Sequence, residues 1–274
     1  MKLIIALALV FALIALVLLL LQHRMIYFPR PYEPGRLSRL PAELLLLDYT
    51  TTEGKQVTFY LPPRERPQEP PGRLWVMFGG NATLALDWMG FIEGSPHTRD
   101  GFLLIDYPGY GENEGRASPV KILESTEEAF RTLARRLGVE PSALESGMGV
   151  IGHSLGAAAA LQFATRRPVE RVLLIAPFTT MRDMAVRTVG YPLCYLLTHR
   201  FDNRRRLAEL SKRPDPPQVA IIHGDADGVV PVEMGRELAG VAPGITRYIE
   251  IPNLDHMSIL EEAESYFYST TESR

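Results

Sequence analysis

Gly152-His153-Ser154-Leu155-Gly156 stands between a short apolar run, Gly147 to Ile151, and an Ala-rich helix-forming run, Ala157 to Gln162. A strand that turns sharply into a helix at a serine holds that serine in strained φ/ψ and leaves its Oγ exposed above the sheet. The residues two before and two after it must be small for the turn to close, and Gly152 and Gly156 are. An ordinary Gly-Ser turn would show the same five residues. The company Ser154 keeps elsewhere in the chain decides between the two.

A serine hydroxyl is a weak nucleophile that needs a base, and the base needs an acid to orient its imidazole. In open α/β sheets such groups gather at the carboxyl ends of strands. The apolar run ending at Ile222 leads into His223-Gly224-Asp225-Ala226-Asp227, which offers two carboxylates on one loop. The run ending at Ile251 leads into Pro252-Asn253-Leu254-Asp255-His256. The order Ser154, then an Asp, then His256 is the order that accompanies a nucleophile elbow. His256 is the expected base, and Asp255, its sequence neighbour, is expected to be solvated. His153 is expected to be structural and His223 to hydrogen-bond locally at its strand end. His97 and His199 read as loop or cap residues, and His23 flanks the apolar N-terminus. A developing oxyanion needs backbone N–H donors. One is expected at Leu155, directly after the nucleophile, and the other in the glycine loop Phe78-Gly79-Gly80-Asn81-Ala82-Thr83.

Around these sites, apolar runs alternate with helical patterns. Strands are expected at 44–49, 56–61, 74–78, 102–105, 148–151, 172–176, 219–222 and 248–251. Helices are expected at 122–137, 154–165, 231–239 and 257–268. Compact apolar strands spaced by helices imply βαβ crossovers, hence a doubly wound, mostly parallel eight-stranded α/β sheet. The interval 177–211 is longer than one helix needs and reads as a small helical cap. Its Met181, Met184 and Tyr195 would suit either an acyl chain or packing onto the core. Arg204, Arg205 and Arg206 suit a solvated helix face or anionic headgroups.

Leu3 to Leu21 is an unbroken apolar run of 19 residues, and about 20 helical residues cross a hydrocarbon core. No small-residue cleavage site comes after it, so residues 1–22 read as an uncleaved single-pass membrane anchor. Residues 23–274 read as one domain, joined to it by a stiff tether at Pro29, Pro31 and Pro34. Arg24, Arg30, Arg36 and Arg39 come after the run while Lys2 precedes it, which by the positive-inside count favours a cytoplasmic domain. A two-residue head, however, commonly stays inside while the chain beyond the apolar run is exported, and the extracytoplasmic side is the one expected here. With net charge −3 and dispersed basic residues, the chain shows no nucleic-acid footprint. Cys194 is the only cysteine, which excludes an intrachain disulfide and a Cys-based zinc site.

Taken together, "YFPRPYEP" after the anchor, "DYPGYGENEG" at Asp106–Gly115, "GHSLG" at the elbow, "HGDADGVVP" and the late "DH" resemble the α/β-hydrolase superfamily. The resemblance is to its membrane-anchored branch of bud-emergence-type and acyl-protein-thioesterase-like serine hydrolases, and it covers the chain from about Gln22 onward. It implies that Asp227 rather than Asp225 is the acid. It also implies that Asn81 supplies the second oxyanion N–H. The family's third-strand loop usually reads H-G-N-A, and Gly79 stands here where the His would be. The implied chemistry is acyl transfer from an ester or thioester to water through Ser154, with no cofactor or metal; the bilayer is the partner of the anchor, and its proximity mildly favours lipid-derived substrates. A peptidase of the same fold, or a non-catalytic membrane-tethered scaffold, are the alternatives.

Overall fold

Residues 1–270 are described by a computed structural model, in which the eight apolar runs become the strands of one sheet. They are β1 (Leu45–Thr51), β2 (Gly54–Leu61), β3 (Arg73–Phe78), β4 (Asp100–Ile105), β5 (Gly149–His153), β6 (Arg171–Ile175), β7 (Gln218–Gly224) and β8 (Thr246–Ile251). The spatial order is β1-β2-β4-β3-β5-β6-β7-β8, with β2 antiparallel to both neighbours and all pairings from β4 to β8 parallel. The central strands β3, β4 and β5 carry no exposed residue, as parallel strands covered on both faces require.

The helices are α1 (Lys2–Ile26), α2 (Met89–Glu93), α3 (Pro119–Leu137), α4 (Pro141–Glu145), α5 (Leu155–Ala164), α6 (Met181–Val189), α7 (Asn203–Leu210), α8 (Val232–Val241) and α9 (Ile259–Thr270). Helices α3, α5, α7 and α8 pack in a row, while α2 packs with α9. Trp75 meets Phe267 of α9, whereas Phe78 meets Phe163 of α5. Successive side chains of a strand alternate between faces, so the two helix groups cover opposite sides of the sheet. Helix α3 shows the local logic. Ser118 caps its first turn by accepting from the Lys121 N–H, Pro119 opens it, and Gly138 ends it at φ 66°. Its buried positions Ile122, Ser125, Ala129 and Leu133 recur every three or four residues.

Two expectations about the N-terminal segment change. The Pro-rich segment after α1 is no free tether but a docked strap. Tyr27 and Tyr32 are buried, and the Phe28 N–H donates to the Asn81 carbonyl at 3.0 Å. The Arg30 guanidinium pairs with Asp87 at 2.6 Å, and the Tyr32 hydroxyl donates to Asp106 at 2.5 Å. Prolines set the segment's backbone, but its two buried tyrosines decide where it lies. Second, α1 runs four residues past Gln22, to Ile26.

Within 177–211, α6 and the 3₁₀ turn Leu193–Leu196 form an excursion whose neck is closed by a bridge between Thr180 and Asp202. Helix α7 instead packs between α5 and α8, as the crossover from β6 to β7. Its arginines are spoken for: Arg204 pairs with Asp183 and Glu237, and Arg205 and Arg206 both pair with Glu209. The run is the solvated, ion-paired helix face that its charge pattern allows.

Candidate active site

The chain switches direction across the sheet between β3 and β5, the two strands that leave a crevice at their carboxyl ends. Phe78 pairs with Gly152, so the glycine loop 79–83 and Ser154 leave adjacent strands at the same level. Ser154 sits at φ 54°, ψ −115°, directly before α5, a backbone conformation that costs a non-glycine residue roughly 1–3 kcal/mol. The helix N-terminus beside it favours negative charge. Gly152 and Gly156 make the turn possible. A Cβ on Gly152 would lie 2.2 Å from the Gly156 carbonyl oxygen, and one on Gly156 would lie 2.1 Å from that of Phe78.

At the other end of the row, Gly224 pairs with Ile251, which launches the loops carrying Asp227 and His256 side by side. Asp227 Oδ2 lies 2.7 Å from His256 Nδ1, so His256 donates that proton to the carboxylate. Asp227 Oδ1 accepts the N–H groups of Val229 and Val230, each at 2.8 Å. Burial alone would push this carboxyl up, but hydrogen bonds from His223, His256 and Val230 outweigh it and hold Asp227 well below the usual carboxylate range. Asp225 is exposed and accepts the Asn253 N–H at 2.7 Å, tying the two loops together. Asp255 is exposed as expected, yet it also caps the turn before α9 by accepting from the Met257 and Ser258 N–H groups. That turn delays α9 to Ile259.

Asn81 and Leu155, the expected oxyanion donors, line the same cavity as Ser154. The Gly80 carbonyl accepts from Thr83 N–H at 3.2 Å. In a trans peptide the N–H points opposite to the C=O, so the Asn81 N–H faces away from Thr83. Leu155 is the first residue of α5, and an N–H at that position has no acceptor within its helix. Gly79 has a spatial reason to lack a side chain, because a Cβ there would lie 2.8 Å from Thr83 Cβ. The cavity itself measures about 190 Å³, with Phe178, Met181 and Met184 among its apolar walls.

A family model described as "Alpha/beta hydrolase family" matches residues 71–211. The chain belongs to the alpha/beta hydrolase family. This hydrolase is 28% identical over 237 residues to the uncharacterized protein Rv2307c of Mycobacterium tuberculosis, covering 86% of this chain and 80% of that protein. It is 25% identical over 153 residues to the lysophosphatidylserine lipase ABHD12 of Danio rerio, covering 50% of this chain and 38% of that one. Among solved structures it is similar to the Pyrococcus furiosus esterase Pf2001, with TM-score 0.60, 15% identity, and 88% and 95% of the two chains covered.

Four side chains around the hydrolase site carry duties that the residue pattern did not expose. His153, fully buried, has its Nε2 2.9 Å from the backbone carbonyl of His256. Burial pushes its imidazole down to about 3, and the neighbouring His256 adds to this, so His153 is neutral and donates through Nε2. His223 Nε2 lies 3.0 Å from the Val230 carbonyl and 3.3 Å from Asp227 Oδ2, so it braces the carboxylate as well as its own loop. Tyr107 and Tyr110 donate their hydroxyls to the carbonyls of Gly79 and Asn81, both at 2.6 Å, and clamp the glycine loop from behind. Both tyrosines lie in the Asp106–Gly115 stretch, whose aromatic-glycine pattern is the only local signal for them.

Proposed function

We propose that this protein is a serine hydrolase that cleaves carboxylic ester or thioester bonds through an acyl-enzyme on Ser154. The observation that carries the reading is the strained backbone of Ser154 at the head of α5, facing an apolar cavity. Ser154 Oγ attacks the carbonyl carbon while its proton passes to His256 Nε2. Backbone N–H groups of Asn81 and Leu155 stabilise the resulting oxyanion, where one donor is worth about 2.7–4 kcal/mol. His256 returns the proton to the leaving alkoxide or thiolate as that bond breaks. Water then attacks the acyl-enzyme, gives its proton to His256, and releases the acid and a reprotonated serine. Asp227 stays ionised throughout, holding the His256 ring through Nδ1.

Helix α1 is long and apolar enough to cross a bilayer. In this reading residues 1–22 anchor the domain 23–274 as a single-pass protein of the membrane-anchored branch, with the domain on the extracytoplasmic side. The apolar cavity and the named activity of the lipase relative support lipid-derived esters over peptides.

A fluorophosphonate probe tests the chemistry. Wild-type protein takes the label and Ser154→Ala does not; folded wild type that stays unlabelled overturns the reading in favour of a scaffold. Turnover of p-nitrophenyl acyl esters set against aminoacyl anilides tests the bond type, and a preference for anilides makes it a peptidase.

A further inference from the structure

The globular body does not close the cavity over Ser154 by itself. Leu18, Gln22, Met25 and Ile26 of α1 form one wall, opposite Met181 and Met184 of the cap. Every residue of α1 up to Ile14 is exposed, and from there shielded positions recur at Ala15, Leu18, Gln22 and Ile26. That spacing is one helical face, so the last three turns of α1, about 16 Å at 1.5 Å per residue, are docked. The dock is latched. Gln22 Oε1 accepts both the N–H and the hydroxyl of Thr198 at 2.8 Å each, and its Nε2 donates to the Leu19 carbonyl. The rings of His23, Tyr27 and His199 pack within 5.9 Å of one another below it. The strap after Tyr27 then holds the helix to the glycine loop. With the Gln22 carbonyl oxygen held by Thr198 and its amide nitrogen turned to the Leu19 carbonyl, Leu18, Met25 and Ile26 give this wall its hydrocarbon.

Leu18 belongs to two places at once. It lies in the apolar run Leu3–Leu21, which is the length that hydrocarbon covers. It also lines the cavity that contains Ser154. The 3₁₀ turn touching α1 carries Tyr195, whose ring lies 5.9 Å from that of Tyr191, and both are exposed, as aromatic side chains at a membrane interface are.

We propose that the site draws its acyl chain sideways out of the bilayer, through the seam between α1 and the cap, and that Leu18 and Met25 are specificity-determining residues for that chain. The proposal rests on the reading of Ser154 as the nucleophile. Its substrate class is a membrane-resident ester with a single unbranched acyl chain in the site and its head group outside. A cavity of about 190 Å³ is smaller than the roughly 300–1,000 Å³ that encloses a whole drug-sized ligand. A chain that enters from hydrocarbon along an apolar wall is never hydrated on the way, which removes the main penalty of lipid extraction.

The experiment uses the full chain in lipid nanodiscs and alkyl fluorophosphonates with a diazirine at the chain end, in four-carbon and ten-carbon versions. Serine Oγ displaces fluoride from phosphorus, light then fixes the chain end, and mass spectrometry maps both attachment points. We expect the ten-carbon probe on Ser154 to cross-link within residues 15–26. We expect Leu18→Trp and Met25→Trp to lower the ten- to four-carbon ratio of labelling rates by about tenfold, and Leu7→Trp, on the undocked part of α1, to change it by less than about twofold. If neither probe labels Ser154, the nucleophile assignment fails and takes the proposal with it. If Ser154 is labelled but the ten-carbon chain end maps only to residues outside α1, or both Trp variants leave the ratio unmoved, the seam is wrong and the nucleophile stands.

Discussion

The imidazole of His153 lies 2.9 Å, through Nε2, from the backbone carbonyl of His256, joining the elbow to the loop of the proposed base across 103 residues of chain. The two rings pack 4.7 Å apart. A residue within the elbow thus positions the loop of the proposed base, and burial keeps its ring neutral.

His153 therefore places a pH dependence on the fold. Its folded pKa of about 3 lies below the unfolded value of about 6.5. Between those values the unfolded chain binds the extra proton, so stability is intact above pH 6.5 and falls as pH drops toward 3. From pH 7.5 to 5 the loss from this group is about 2 kcal/mol. The Tm of wild type should drop by about 4–8 °C more than that of His153→Asn over that interval. Equal drops would mean that His153 is not held neutral.

Asp227 and Asp225 make a second pair of predictions. Asp227→Asn should lower kcat for a short p-nitrophenyl ester by about 10³–10⁴, because the imidazole loses the group that sets its tautomer. Asp225→Asn disturbs only the loop tie to Asn253 and should cost less than about tenfold. The opposite ranking would reassign the acid.

The glycine-loop clamp is tested by Tyr107→Phe and Tyr110→Phe. Each removes one hydroxyl and, at about 1–1.5 kcal/mol per hydrogen bond, should lower kcat by roughly tenfold with KM little altered. A rise in KM at constant kcat would show that the tyrosines shape binding instead.

Gly156→Ala forces a methyl group against the carbonyl oxygens of Phe78 and Gly79. Overpacking of this kind costs about 1–3 kcal/mol. A Tm lower by about 3 °C or more, together with loss of fluorophosphonate labelling, is the expected result.

Much of the molecule is legible in the residues, and for local reasons. The inner strands, covered on both faces, must be continuous apolar runs, while β1 at the sheet edge alternates exposed and buried positions; all eight stand out, and the observed ends shift by only a few residues. The elbow is legible because its requirements sit within five residues. The strap reads as a spacer because prolines announce stiffness, whereas Tyr32 is held by Leu86 and Asp106, 54 and 74 positions away, and Tyr27 meets His199, 172 positions away. The docked face of α1 leaves no trace, since a helix that is apolar all round has no periodicity to read.

Local pattern suffices for the order of strands and helices, the elbow at Ser154 and the short roster of carboxylates and imidazoles able to serve it. Backbone propensity and hydrophobic period act over a few residues, and these features need nothing longer. Which of those groups meet is a tertiary matter. Register between Gly224 and Ile251 puts Asp227, not Asp225, on His256, and register between Phe78 and Gly152 brings the glycine loop to Ser154. Packing of the strap and cap turns one side of α1 into a wall of the cavity. Distances of about 3 Å between residues a hundred positions apart are set by how strands pair and helices pack, and no local pattern encodes them.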